Sequence, residues 1–330
     1  MSGPRGRRRS IVSLLFAAAT AVACGSVSSD SEVLMVGVTA PNPTVEILPV
    51  PAPEVPYTMK VQALTDRVVA AAALADAQRG ARVTVALLDR ETGSRTVAGA
   101  DEPIETASVV KLFIADDLLF RAGTGEIALG EGEYDEIAAM LSRSDDSAAS
   151  DLWSRYGGSE IVDRVVHRHG LTDTSAPYDG NWWNTVTTAS DLLTWYDAVL
   201  GGTSGLDERG TATIVGHLLD FEPAGSDGYD QRFGLPDGLP EATELGVKQG
   251  WMCCVDGNWI HLSTGFFGDD HRYVVAVLSR EKVHYDDPDP AEWTPLPDTA
   301  LVDVTDDASA AHARDTVTLV VQEAFGQPAH

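Results

Sequence analysis

The chain has 330 residues, 44% of them hydrophobic and 22% charged, with a formal net charge of -27 and a pI near 4.4. That apolar content is ample for one large packed core or two modest ones. A surface this acidic repels nucleic acid and anionic membranes, which excludes both as surface partners, and any site for an anionic substrate must be locally basic.

The first residues read as an export signal. Arg5, Arg7, Arg8 and Arg9 precede an apolar stretch from Ile11 to Ala23 that is too short to span a bilayer. Ala21-Val22-Ala23-Cys24-Gly25 then resembles a bacterial lipoprotein cleavage box, with Cys24 as the lipidated first residue of the mature chain. An ordinary cleaved signal peptide is the alternative. Residues 1–24 are therefore expected to be removed or anchored, and any membrane contact is expected only through a lipid at Cys24. Residues 25–56 carry Pro41, Pro43, Pro49, Pro51, Pro53 and Pro56, a composition that forms an extended tether and no core.

The folded part is expected over 57–330. Leu64, Val68, Ala71, Ala72 and Ala75 recur at helical spacing, which predicts a helix from about Met59 to Gln78, ended by Gly80. Arg82 to Asp89 alternates as a strand, Glu91-Thr92-Gly93-Ser94 makes a turn, and Arg95 to Ala98 returns as a second strand. Residues 108–215 are mostly helical in pattern, with breaks at Gly123, Gly157-Gly158 and Gly201-Gly202. Three strands follow, Thr243–Trp251, Trp259–Phe267 and Tyr273–Ser279. A surface loop is expected from Tyr285 to about Thr305, and a last helix from Ala308 to Phe325 with Val317, Val320, Val321 and Phe325 on one stripe. This order predicts an α+β fold: an antiparallel sheet built from both chain ends (57–107 and 216–330), flanked by the terminal helices, with a reduced helical lobe (108–215) inserted between.

Cysteine use is sparse. Besides Cys24 there are only the adjacent Cys253 and Cys254. Neighbours in a strand point to opposite faces, so both read as packing residues, one of them buried, with a vicinal disulfide as the alternative. No metal-binding spacing such as CxxC or HExxH occurs, and no cofactor is expected.

Three short motifs carry chemistry. In Ser108-Val109-Val110-Lys111, a Ser at a helix start with Lys three residues on puts hydroxyl and amine on one face. A neutral Lys can take a Ser proton once burial or nearby positive charge lowers its pKa. The chain has 23 Lys plus Arg, yet only Lys60, Lys111, Lys248 and Lys282 are Lys. Arg cannot serve as a base, so two of the four lysines falling in candidate motifs is informative. In Ser144-Asp145-Asp146, Ser144 could relay a proton and Asp146 could accept from Lys111; a helix N-cap is the plainer reading. In Lys248-Gln249-Gly250-Trp251, Lys248 would attract a carboxylate and Gly250 would admit substrate against the strand. Trp251 would offer its backbone N–H as an oxyanion donor. An edge-strand Lys beside a bulge Gly is the plainer reading there.

Taken together, these segments resemble the class A serine β-lactamases and penicillin-binding D,D-peptidases, which carry S-x-x-K, S-D-N and K-T-G in this order. The resemblance extends over most of the chain from residue 57, including Leu87-Leu88-Asp89-Arg90-Glu91-Thr92-Gly93 and Thr187-Thr188-Ala189-Ser190-Asp191-Leu192. It implies Ser108 as acylated nucleophile, Lys111 as its base or base partner and Ser144 as proton relay. It further implies that Lys248 fixes the substrate carboxylate and that the N–H groups of Ser108 and Trp251 form the oxyanion hole.

The pattern departs from the family at three places. Asp146 stands for the family Asn, and Gln249 for the Thr or Ser whose hydroxyl meets the substrate carboxylate. The stretch Thr172–Asn184, which matches the family's deacylation loop, holds no Glu; Asp173 or Asp179 could substitute, although a cap or turn suits both. Trp182 and Trp183 would wall the cleft or pack in the core. The interval from Ser108 to Ser144 is also short for class A. Acylation without efficient deacylation is therefore expected, on a small-molecule or peptidoglycan-like acyl substrate, by a monomer. The alternatives are an impaired cell-envelope binding protein on the same scaffold, or a Ser–Lys esterase or amidase. His167, His169 and His261 read as structural.

Overall fold

The computed structural model describes residues 57–283 and 307–326. The expected signal peptide, Cys24, the tether and the 285–305 loop lie outside the described residues. The elements, in chain order, are α1 (Tyr57–Arg79), β1 (Ala81–Asp89), β2 (Ser94–Ala98), β3 (Ile104–Glu105) and α2 (Lys111–Gly123). Then come α3 (Glu131–Ser142), α4 (Asp146–Tyr156), α5 (Glu160–His169), β4 (Val186–Thr187), α6 (Ala189–Leu200), α7 (Glu208–Leu219) and α8 (Leu235–Gly238). The chain closes with β5 (Gly246–Val255), β6 (Asn258–Phe267), β7 (Tyr273–Lys282) and α9 (Ala308–Phe325).

Five strands form one antiparallel sheet in the order β2-β1-β7-β6-β5, so strands from both ends of the chain pair at its centre. Alternation along each strand feeds two cores. Val83, Val85 and Leu87 of β1 and Val275 and Val277 of β7 meet Val68, Ala71 and Ala75 of α1 and Val317 and Val321 of α9. Ala86, Leu88, Val274, Ala276 and Leu278 face the other way, against Phe113, Leu192 and Trp195 of the helical lobe. A strand covered on both faces is apolar along its length, and β1 is buried at eight of nine positions. At about 25 cal/mol per Å² of apolar surface, burial on both faces stabilises the sheet.

Several boundaries run past the expected ones. β5 continues to Val255 and β7 to Lys282, and Ile104–Glu105 and Val186–Thr187 pair as a small second sheet beside the Ser108 turn. Cys253 and Cys254 are joined to each other as a vicinal disulfide, which corrects the primary expectation of two packing thiols. The β5–β6 register shifts between Met252 and Val255, so the alternation that would separate the two side chains is broken at this point. Cys253 is buried, as one of the pair was expected to be.

Candidate active site

Ser108 lies on a 3-10 turn, Ala107–Val110, that runs directly into α2 at Lys111. With three residues per turn, side chains at i and i+3 eclipse, so this turn stacks the amine on the hydroxyl. The Lys111 Nζ to Ser108 Oγ distance is 2.8 Å. Ala107, just before Ser108, has φ 44°, a left-handed conformation that a non-Gly residue holds only when its surroundings impose it.

Ser144 sits between α3 and α4, also at positive φ (57°). Its Oγ is 2.9 Å from Lys248 Nζ and 3.3 Å from Lys111 Nζ, and its carbonyl accepts from Lys111 at 2.6 Å. The N-cap role is also present, but it belongs to Asp145, whose carboxylate accepts from Ala148 N at 2.9 Å. That leaves Asp146, the first residue of α4, free to pair with Lys111 Nζ at 2.5 Å. Ser108, Lys111, Ser144, Asp146 and Lys248, drawn from three separate chain regions, thus share one hydrogen-bonded cluster. Ser108 is 5% exposed, Lys111 0% and Lys248 1%.

Electrostatics follow from this burial. Desolvation pulls the Lys111 ammonium down, opposed first by the adjacent Asp146 and then by Asp227 and Asp145. Burial pushes Lys248 well down, and the charge on Lys111 adds to it, opposed by Asp146 and Asp227. Among the described residues, Lys248 donates to Gln249 O at 3.0 Å and to Ser144 Oγ, and no carboxylate touches it.

Three residues of β5 were expected to serve the site. Gln249 was expected to reach a substrate carboxylate, but its Nε2 donates to Gln231 O (3.0 Å) and Phe233 O (2.5 Å). Period-2 alternation sends it to the face opposite Lys248. Gly250 was expected to admit substrate. A Cβ there would lie 2.7 Å from Thr106 O and 3.1 Å from Val109 Cγ2, so its bareness serves the packing of β5 on the nucleophile turn. Trp251 comes next along this stretch of β5, and its indole is stacked on Tyr229 with centroids 4.7 Å apart.

The stretch 172–184 brings no carboxylate into hydrogen bonding with the cluster among the described residues. Asp173 accepts from Thr172 Oγ1, and Asp179 builds a turn, accepting from Asn181 N (3.0 Å) and from Asn184 Nδ2 (2.8 Å). Trp182, buried and held by Nε1 donation to Ser150 Oγ at 3.1 Å, lays its ring over Lys111 Nζ, 4.8 Å from centroid to nitrogen. The half-buried Trp183 meets it edge-on at 5.0 Å.

Asp227 and Tyr229 escape the sequence reading. They lie on the segment between α7 and α8, where no periodicity marks a role, and Asp227 is one of 50 acidic residues. The histidines take structural places. His261 is fully buried, paired with Tyr229 Oη at 2.7 Å, and burial holds its pKa at about 3. His169 joins Trp195 on the Asp116 carboxylate, at 2.8 and 3.0 Å. Among the described residues no group of His, Cys, Asp and Glu is arranged to hold a metal ion.

No family model matches the chain. "Putative lipoprotein LppW" of Mycobacterium tuberculosis (strain ATCC 25618 / H37Rv) is 47% identical over 203 residues, 62% of this chain and 64% of that protein. The protein of the same name from Mycobacterium bovis matches equally. The chain spans about 64% of the length of these curated relatives. Among solved structures, a β-lactamase from Xanthomonas campestris pv. campestris is 19% identical, with TM-score 0.58, over 79% of this chain and 97% of that one. A class A β-lactamase from Bacteroides cellulosilyticus is 14% identical, with TM-score 0.59, over 80% and 98%. The chain has the β-lactamase-like α+β fold. No helix among the described residues is long and apolar enough to cross a membrane.

Proposed function

We propose that this chain is an exported serine hydrolase of the β-lactamase and penicillin-binding type, acylated on Ser108 by a β-lactam or a peptidoglycan-like amide. The observation that carries this reading is the convergence of Ser108, Lys111, Ser144 and Lys248 in one buried hydrogen-bonded cluster. Ser108 Oγ gives its proton to the cluster and bonds the carbonyl carbon, while the backbone N–H groups of Ser108 and Trp251 receive the oxyanion. The C–N bond breaks, and the leaving nitrogen takes a proton from Ser144. General-base help to a water is worth about 10²–10⁴ in rate. Without a carboxylate from 172–184 in the cluster, the acyl-enzyme is long-lived. The lipoprotein name of the curated relatives supports Cys24 as a lipid attachment point on the exported chain.

Mass spectrometry of the purified protein after incubation with a reporter penicillin tests the reading. A stable adduct of one acyl group, absent from Ser108→Ala, is expected. No adduct on the wild type, or one that survives Ser108→Ala, removes it. The inward-turned Gln249 amide and the Asp146 carboxylate favour a second reading, an envelope-binding protein with little turnover. That reading requires ligand binding untouched by Ser108→Ala. Turnover of simple esters without penicillin labelling would mark an esterase instead.

A further inference from the structure

The two buried lysines have unequal surroundings, and the difference assigns them different protonation states. Lys111 Nζ touches a carboxylate (Asp146 Oδ1, 2.5 Å) and a carbonyl (Ser144 O, 2.6 Å), and lies beneath the Trp182 ring face. All three favour a charged amine. Among the described residues, Lys248 Nζ has only neutral oxygens, Ser144 Oγ and Gln249 O, within hydrogen-bond reach. Both amines touch Ser144 Oγ, and two positive charges so close in a buried site oppose each other. Asp146 bears on Lys248 as well as touching Lys111; the other charges facing the pair are Asp145 at the start of α4, which bears on Lys111, and Asp227 on the α7–α8 segment, which bears on both lysines. They set no charge in contact with Lys248.

The geometry points to a division of labour in which Asp146 keeps Lys111 charged, and Lys248 is the neutral amine that stores the Ser108 proton, delivered through Lys111 and Ser144. The step balances. Lys111 passes one proton to Ser144 Oγ, Ser144 passes its hydroxyl proton to the Lys248 lone pair, and the Ser108 proton refills Lys111. Ser108 oxygen, left with the electron pair, bonds the acyl carbon. Lys111 and Ser144 end as they began, and Lys248 ends as an ammonium. Asp146 is a positioning residue here, acting chiefly through its contact with Lys111. Burial lowers both amines, and Lys111 has a touching carboxylate to oppose it. The chemistry rests on the acylation reading above, but the charge assignment is measured without substrate.

The chain has four lysines, so the carbon-13 NMR spectrum of lysine-labelled full-length protein is readable residue by residue. Lys60→Arg and Lys282→Arg remove the two outside the cluster, and through-space contacts to the Trp182 indole identify Lys111 without altering the site. At neutral pH the Lys111 signal is expected at the charged position and the Lys248 signal at the neutral one. In Asp146→Asn the Lys111 midpoint falls and the Lys248 midpoint rises. A neutral Lys111 beside a charged Lys248, or an Asp146→Asn variant that moves neither, overturns the inference. Labelling by a fluorescent penicillin adds an independent arm. Lys248→Arg is expected to slow labelling at least about 100-fold, and adding Asp146→Asn to restore part of it by freeing Lys111. Restoration of nothing, with the double variant folded, counts against the inference. Failure of the wild type to label removes the acylation reading, while the NMR result still decides the charge assignment.

Discussion

The turn that carries Ser108 and the 172–184 segment that packs on it follow opposite rules. The turn, together with the α3–α4 junction, brings hydroxyls and amines to one point, with Ala107 and Ser144 at positive φ. The segment turns its carboxylates away from the cluster: Asp179 binds its own turn, and what reaches the cluster is an indole. The Ser–Lys cluster and the carboxylates of 172–184 are thus separated, because they come from different stretches of chain. Substitutions on either side sharpen or break this contrast.

The largest effect is expected at the amine that touches the Ser108 hydroxyl. Lys111→Met should slow acylation by about 10²–10⁴, read as the rate of reporter-penicillin labelling, since it removes the amine stacked on the hydroxyl. An equal rate in the variant would break the contrast from the nucleophile side. Trp182→Ala should cost about 3–5 kcal/mol by chemical denaturation, the usual range for a buried Trp. It should also leave the adduct's half-life within a few-fold, because the indole supplies no base. A much shorter half-life would show that the ring itself excludes a competent water.

Gly250→Ala should cost about 1–3 kcal/mol in unfolding free energy. It should lower the labelling rate further, because the new methyl meets the Thr106 carbonyl and shifts the nucleophile turn. A stability loss with unchanged labelling would separate that packing from the chemistry. The pH dependence of folding provides a gentler test. His261 is held near 3 when folded but titrates at its ordinary 6.5 when unfolded. The unfolded state thus binds more protons between those values. Stability should fall by up to about 1.4 kcal/mol per pH unit as pH drops from 6.5 toward 3. His261→Phe should flatten that slope in urea titrations at several pH values. The smallest effect belongs to Asp179→Ala, about 0.5–1 kcal/mol for lost turn hydrogen bonds, with no change in adduct lifetime. A lengthened lifetime would make Asp179 the missing base.

Much of this site was legible because its parts are short and local. Ser108 and Lys111 share a turn, and the rarity of Lys beside abundant Arg singles out Lys111 and Lys248. Gln249 was misplaced because a residue's identity does not say which face of an edge strand it takes, and strand phase is set by pairing with β6. Asp227 and Tyr229 had no signal, since they reach the site from a segment without periodicity.

By itself, the amino-acid order determined the alternation of strands, the helical lobe between them, and the three motifs with their spacing, because each is written in contacts of a few residues. Only the tertiary structure decided which carboxylate meets which amine, which way Gln249 turns, and that a tryptophan covers Lys111. Those outcomes depend on the docking of segments far apart in the chain, where packing and desolvation outweigh local preference.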